Sequence, residues 1–302
     1  MQVSFINRKS KIGSHKLLKL IRPLHLLLAA LTYSLGVSIA NYLGTPFNAN
    51  SFWLGLAAIL LMQLSMSLLS EVFRLDTEPL LENETHKARQ ALRNNVLYVS
   101  VASIAVVGFI AYILFNNDQL PLPVFFFLLL SLLIILAYSI PPFRVVNRGF
   151  GEFLLAAQLA YVFPSIAFIL QAGETHRFLT LTIPLTCLAF AYFILTNFPS
   201  FALDRKHNRV TFLTQLGWER VVPLHHLFVL LAYLFFAASP LFGLSLSLVW
   251  RVFLTLPFAL FQIFQLQNIS LGAPTNWTLL TVTALATFGL TTYLLMLTFW
   301  LR

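Results

Sequence analysis

Charged side chains are scarce in this chain. They make up 10% of its 302 residues, and the mean hydropathy is +0.83. Soluble domains carry about 25% charged residues. With 59% hydrophobic residues, the chain has too few charges to cover its apolar surface as a single water-facing globule. This composition excludes a soluble globular domain and indicates an integral membrane protein.

Cysteine and metal-binding histidine patterns are also scarce. The one cysteine, Cys187, lies in an apolar run, so no intramolecular disulfide can form, and a packed core thiol is the simplest interpretation. The seven histidines show no H-x-x-x-H or Cys/His spacing that would indicate zinc. The sequence also lacks a nucleophile elbow and a Gly-rich phosphate loop, so these motifs support no function here.

Long apolar runs are what the chain does have. A membrane-spanning helix needs about 20 mostly apolar residues. The runs are continuous rather than alternating, which favours helices over the strands of a membrane barrel. The sequence therefore predicts an all-α membrane protein with nine spans, at 24–44, 52–70, 95–115, 122–140, 151–171, 179–197, 222–242, 247–265 and 278–300.

The basic residues predict the orientation of these spans. Sixteen of the nineteen Lys and Arg residues fall on the side that holds the N-terminus and the loops after spans 2, 4 and 6. Cytoplasmic loops carry such an excess of basic residues, so the N-terminus and these loops are predicted to be cytoplasmic. The net charge of +9 is explained by this membrane surface and its lipid headgroups, and we expect no nucleic-acid partner.

The N-terminal segment 1–22 carries six basic residues and no acid. It is predicted to be an interfacial segment that leads into the bilayer. A signal peptide is the alternative, but the following apolar run is longer than a signal-peptide core of about 7–15 residues. We expect residues 1–302 to form a single membrane domain of a multi-pass protein in the cytoplasmic membrane of a prokaryote.

Three polar loops on the predicted cytoplasmic side carry most of the other ionisable groups. The first covers residues 70–93, and the positions Ser70, Arg74 and Glu78 stand four apart, so they would share one face while the helix lasts. The second, 138–148, contains a Pro-Pro pair and leads into a glycine turn. The third, 196–209, places Ser200 four residues before Asp204. Taken singly, they could be a solvated helix end, an interhelical turn and a basic loop.

Together these loops resemble those of the UbiA-type superfamily of membrane prenyltransferases. Residues 138–144 read YSIPPFR and are similar to the family's Y-S-x-P-P-x-R, and 148–152 resemble its Gly-Glu helix start. Residues 197–217 are similar to the family's N-x-x-D-x-x-x-D-R…G-K-R-T…R-L-G pattern. The resemblance extends over nearly the whole chain and implies a UbiA-like bundle of nine helices with a central cavity open to the cytoplasm.

The resemblance implies an enzyme that transfers a prenyl group from a prenyl diphosphate to a lipid-soluble acceptor, often aromatic. Magnesium is the implied cofactor, because metal ions neutralise a diphosphate leaving group. The implied metal ligands are Asp204, Glu78 and Asp76. The implied catalytic residues are Asp204, Glu78 and Arg74. The implied substrate-binding residues are Ser70, Tyr138, Arg144, Arg148, Asn197, Ser200, Arg205 and Lys206.

The sequence departs from the family pattern at the acidic motifs. Ser70 stands for an asparagine, Arg74 for an aspartate and Ser200 for another aspartate. Two of five ligand positions keep a carboxylate, at Glu78 and Asp204. An echo between residues 73–76 and 201–204 leaves a second register open, in which Asp76 pairs with Asp204. Because a guanidinium repels a metal but binds a diphosphate, we hypothesise that Arg74 acts partly in a metal's place.

Two other functions remain open on the sequence. The lost metal ligands favour a non-catalytic relative that keeps the fold and binds a prenyl lipid or a partner. A transporter is a weaker alternative, since charged residues inside the spans are few. Retention of Asp204 with its basic neighbours, and of the Y-S-x-P-P-x-R run, favours the transferase.

Overall fold

The computed structural model describes residues 20–74 and 86–301, and the regular structure in these ranges is helical. Within them, nine helices are long and apolar enough to cross a membrane, as predicted. The chain is therefore a multi-pass integral membrane protein. Most of the basic N-terminal segment, and the loop positions Asp76 and Glu78, lie outside the described residues.

The spanning helices are numbered here in chain order. Their bounds agree with the predicted spans to within five residues, except where α3 begins. The helices are α1 Pro23–Tyr42, α2 Ala49–Val72, α3 His86–Asn116, α4 Leu122–Ser139, α5 Gly151–Ala172, α6 Arg177–Thr196, α7 Trp218–Ala237, α8 Leu246–Ser270 and α9 Trp277–Trp300.

Helix α3 is longer than the membrane requires. At 1.5 Å per residue its 31 residues extend over about 46 Å, whereas the hydrocarbon core is about 30 Å thick. Its first turns therefore continue into the polar region, where the Arg93 guanidinium donates to the main-chain carbonyl of Arg74. The start of α3 is thereby joined to the end of α2.

Helix α1 packs against α2, α5 and α9, and α6 packs against α5 and α7. A glycine permits the contact between α1 and α5: a Cβ at Gly36 would lie 2.1 Å from the main-chain oxygen of Pro164. Small residues let membrane helices approach closely in this way. The close contact holds α1 at a fixed position beside α5, the helix that follows the second polar loop.

The end of α2 differs from the prediction. The helix ends at Val72, and the Arg74 N–H donates to the Glu71 carbonyl at 3.2 Å in a closing turn. Arg74 is therefore not one helical turn beyond Ser70 on a shared face. The Arg74 side chain instead turns back to the Glu71 carboxylate, and this local ion pair accompanies the early helix end.

Successive spanning helices alternate in direction, so the ends of α2, α4 and α6 lie at the same end of the bundle as the start of α1. The loop after α4 turns into α5 through Gly149, which has φ 77° as the predicted tight turn requires. After α6 come two short helices, Phe201–Lys206 and Phe212–Leu216, before α7 begins. The topology thus brings the helix ends that border the three predicted loops to one end of the bundle.

Candidate functional site

A cavity of about 240 Å³ lies at the end of the bundle where α1 begins, between the second and third polar loops. Its apolar lining includes Leu155 and Phe193. Its polar lining comes from α1, α4, α5, α6 and the loop after α6: Arg22, His25, Tyr138, Glu152, Thr196, Asn197, Ser200, Arg209 and Thr211. A small site lined by both polar and apolar groups suits an amphipathic ligand.

The first charge cluster of the cavity centres on Glu71, which is buried near the end of α2. Arg22 Nη2 donates to Glu71 Oε1 at 2.9 Å, and Arg74 Nη1 donates to Glu71 Oε2 at 2.9 Å. Arg22 directly precedes the first helical residue of α1, Pro23, and has a left-handed backbone with φ 52°. Both carboxylate oxygens are thus paired, and two cations from different segments are held beside each other.

The guanidinium of Arg22 also contacts Tyr138, the buried tyrosine at the end of α4. Burial by itself would lower the pKa of Arg22, but its interactions with Tyr138 and Glu71 outweigh this and raise the pKa above its ordinary value. Arg22 is therefore a permanent cation in the cavity wall.

The second charge cluster centres on Asp204, which is buried in the short helix Phe201–Lys206. Ser200 Oγ donates to Asp204 Oδ2 at 2.7 Å, and Arg209 Nη1 lies 3.6 Å from Asp204 Oδ1. The left-handed Asn208, with φ 55°, ends this helix and lets the Arg209 N–H donate to the Asp204 carbonyl at 2.8 Å. The turn returns Arg209 to the cavity, where it also acts electrostatically on Glu71 and Tyr138.

A third buried carboxylate, Glu152, joins the elements around the cavity. Its Oε1 accepts a hydrogen bond from the side-chain amide of Asn197 and another from the Phe212 N–H at 3.1 Å. One side chain therefore connects the first turn of α5, the end of α6 and the short helix Phe212–Leu216. These contacts fix the position of Asn197 in the cavity wall.

The predicted site residues fall into four groups. Tyr138, Asn197 and Ser200 line the cavity, and Asp204 and Arg74 are bound to residues of the two charge clusters. Asp76 and Glu78 lie outside the described residues. The remaining five lie elsewhere, in positions described next.

Among these five, Ser70 is buried and donates to the Ser67 carbonyl at 2.7 Å. Arg148 donates to the Pro142 carbonyl at 2.7 Å and so braces the second loop, in which Arg144 has a left-handed backbone. Arg205 lies over the ring of Phe201, 5.8 Å from its centroid, and both Arg205 and Lys206 are exposed. Their substrate-binding roles stay predictions.

Four residues of the cavity lining and its charge clusters were not among the predicted site residues: Arg22, Glu71, Glu152 and Arg209. A signal for Glu71 was present, because it is an acid at the end of an apolar span, where ionisable residues are costly and functional. Arg22 had a weaker signal as the last basic residue before α1. Its contact with Glu71 joins positions 49 residues apart, which spacing along the chain does not reveal.

The carboxylates of the described residues do not fit a magnesium site. No group of three His, Cys, Asp or Glu residues that could hold a metal occurs in ranges 20–74 and 86–301. Both oxygens of Glu71 are paired with arginines, and Asp204 is occupied by Ser200 and Arg209. Magnesium prefers several oxygen ligands without competing cations. We therefore derive no step through a metal.

Comparison with solved structures relates the whole chain to one fold. A UbiA homologue from Archaeoglobus fulgidus bound to DMAPP and Mg²⁺ is 15% identical, with a TM-score of 0.65, covering 93% of this chain and 99% of that one. The same homologue bound to GPP and Mg²⁺ is 17% identical, with a TM-score of 0.67, covering 95% and 98%.

An apo UbiA homologue from Aeropyrum pernix K1 is 14% identical, with a TM-score of 0.57, covering 91% of this chain and 94% of that one. No protein-family model matches the sequence, and no curated protein matches it. At such low sequence identities the similarity concerns the fold. This shared fold agrees with the family resemblance of the three loops. The chain therefore has the UbiA-type prenyltransferase fold.

Proposed function

We propose that this protein is a membrane prenyltransferase that binds a prenyl diphosphate and passes the prenyl group to a lipid-soluble acceptor. The observation that carries the proposal is the cavity whose lining combines the two cations Arg22 and Arg209 with apolar side chains such as Leu155 and Phe193. A prenyl diphosphate has the matching division between an anionic head and an apolar tail. Homologues of the same fold have been solved with DMAPP and GPP.

The reaction would begin at the bond between prenyl C1 and the diphosphate oxygen. This bond breaks and its electron pair leaves with the diphosphate, while a new bond forms between C1 and a nucleophilic atom of the acceptor, which loses a proton. Negative charge grows on the leaving group, and the guanidinium groups of Arg22 and Arg209 can stabilise it. The apolar lining beside Phe193 would keep water from the electron-poor carbon.

The membrane setting determines how substrates reach the site. The cavity lies at the end of the bundle whose loops carry most of the basic residues, and such loops favour the cytoplasmic side, so we propose that the diphosphate site faces the cytoplasm. Soluble prenyl diphosphates would enter from this side. The acceptor would be lipid-soluble, because the wall of the cavity is formed by spanning helices. Magnesium remains the cofactor that the family resemblance implies. Of its three implied ligands, Asp204 lies among the described residues, and Asp76 and Glu78 lie outside them.

A second candidate is a non-catalytic prenyl-lipid binder with the same fold. The pairing of both Glu71 and Asp204 with arginines favours the non-catalytic binder, since these two carboxylates are already occupied by cations. A binder would retain affinity for the diphosphate but transfer nothing. A measurement of turnover therefore distinguishes the two functions, whereas a measurement of binding does not.

The deciding experiment uses purified protein in lipid nanodiscs, tritium-labelled geranyl diphosphate and a total lipid extract as the acceptor source. A transferase releases inorganic diphosphate in proportion to a labelled lipid that chromatography separates from geraniol. Labelled diphosphate that binds without transfer supports the binder, and absence of binding contradicts both functions. Arg177→Gln is the matched control, because Arg177 is exposed at the opposite end of the bundle and should transfer normally.

A further inference from the structure

We infer that the diphosphate is held by an arginine cluster in place of magnesium ions; this deepens the proposed function and rests on it. The arginine cluster is Arg22, Arg74 and Arg209. These three cations surround two buried carboxylates, Glu71 and Asp204. Among the described residues, the cavity thus has the guanidinium groups of Arg22 and Arg209 in its lining and no set of three acids or other ligands able to hold a metal.

The first step of the argument concerns Glu71. One carboxylate binds Arg22 and Arg74 through separate oxygens, each at 2.9 Å. This arrangement brings together two guanidinium groups that would otherwise repel each other. Glu71 therefore acts as a scaffold for the two cations rather than as a free ligand, and a magnesium ion would have to displace both arginines to reach it.

The second step concerns Asp204. Its Oδ2 accepts from Ser200, whose position resembles that of a metal-binding aspartate in the family, and its Oδ1 faces Arg209. A hydroxyl donates a hydrogen bond where a carboxylate would add negative charge. The loss of that charge weakens attraction for a divalent cation and leaves the local field favourable to an anion.

The third step is the chemistry of the cations. A guanidinium carries five N–H donors in a planar arrangement, and it binds phosphate oxygens in bidentate fashion. Arg22 comes from the start of α1 and Arg209 from the loop after α6, so they approach the cavity from different segments. Such an arrangement can contact both phosphates of one diphosphate. The ion pairs of Arg22 with Glu71 and of Arg209 with Asp204 pre-position these two arginines, and each ion pair uses only part of a guanidinium's five donors.

The test is a calorimetric titration of the unmodified protein with geranyl S-thiolodiphosphate, a poorly hydrolysed analogue. One arm contains excess EDTA and the other magnesium chloride. We expect dissociation constants that agree within about threefold between the arms. EDTA also removes any metal held by the acids of segment 75–85, so the comparison covers the whole chain.

The outcomes separate the inference from the proposed function. Binding that requires magnesium overturns the arginine site and leaves the transferase or binder reading in place. No binding in either arm overturns both. Binding in EDTA that persists unchanged in both Arg22→Gln and Arg209→Gln also overturns the inference, because the affinity would then come from elsewhere.

The arginine variants are expected to weaken binding in EDTA by about tenfold or more each, the usual scale for one charge-assisted contact. Arg177→Gln is the control and should bind as the unmodified protein does. Because Arg22→Gln removes the cation that pairs with Glu71 Oε1, the double variant Arg22→Gln/Glu71→Gln, which also removes the buried charge, guards against misfolding. The double variant should remain monodisperse and still lose affinity.

Discussion

The ends of α2 and α6 belong to the two loops in which the resemblance places acidic motifs, and they neutralise their buried carboxylates in different ways. At the end of α2, Glu71 is balanced by two arginines at 2.9 Å. After α6, Asp204 receives one neutral hydroxyl at 2.7 Å and one arginine at 3.6 Å. The first carboxylate is thus held by full charges, and the second mainly by a hydrogen bond.

The difference shows that the two clusters contribute unequally. Glu71 holds α1 to α2 through Arg22, so its role combines structure with cation placement. Among the described residues, the side-chain partners of Asp204 are Ser200 and Arg209, which belong to its own loop region. Asp204 is the carboxylate that is less neutralised by cations. It is therefore the better position at which to reintroduce a metal.

Glu71→Ala should have the largest effect on stability. It leaves Arg22 and Arg74 side by side without their counter-charge and detaches the start of α1 from α2. We expect a loss of about 3 kcal/mol, at the low end for a buried ion pair because both arginines are partly exposed. Thermal unfolding in detergent checks this, with the exposed Glu174→Ala as control. Equal unfolding temperatures for the two variants would contradict the scaffold role.

The double variant Arg74→Asp/Ser200→Asp restores both aspartates of the family pattern. It removes one cation and adds two acids near the diphosphate site. We expect binding of the thiolodiphosphate in EDTA to weaken about 100-fold, equivalent to about 2.7 kcal/mol, and magnesium to restore much of it. Calorimetry with and without magnesium measures the change. A variant that stays insensitive to magnesium would show that these two positions do not govern metal use.

Glu152→Gln tests the carboxylate that joins three elements instead of holding cations. The amide oxygen can still accept hydrogen bonds, but without the charge that strengthens them, so we expect a loss of about 1 kcal/mol. Thermal unfolding measures it, and Glu219→Gln, an exposed acid at the start of α7, is the control. If Glu152→Gln unfolds at the same temperature as this control, the contacts to Asn197 and Phe212 contribute little to stability.

Asp204→Asn should have the smallest effect, and its direction distinguishes the two ways of holding a diphosphate. If arginines hold the ligand, removing a negative charge beside Arg209 tightens binding in EDTA by about threefold. If a metal holds it, binding in magnesium is lost. The same titration measures both, and Ser200→Ala is a companion variant that removes the hydroxyl while keeping the carboxylate.

Several features of the fold were predictable because they are local. Continuous apolar runs gave the number and approximate bounds of the spans, and the Pro-Pro and glycine signals placed the turn between α4 and α5. The end of α2 was predicted wrongly: the spacing of Ser70, Arg74 and Glu78 suggested that the helix continues through these positions, but it ends at Val72. Hydropathy does not show where a spanning helix ends within a polar segment.

The candidate site was predictable only in part. Tyr138, Asn197 and Ser200 stand in runs that resemble a family pattern, and the structure brings them to one cavity. Arg22 was read as a charge that orients the membrane helices. Its role as a cavity residue depends on a contact with Glu71 across 49 positions. Side-chain pairing over such a distance follows from helix packing, which no local spacing encodes.

By itself, the sequence determined the membrane setting, the nine spans and the end of the bundle at which charge collects, because burial of apolar length in a bilayer depends on composition and order alone. Only the tertiary structure decided which charges meet. The close packing of α1 on α5 at Gly36 and the returning turn at Asn208 bring Arg22 and Arg209 to the cavity. Electrostatic pairing acts over a few ångströms, so it is fixed by the packed fold rather than by the order of residues.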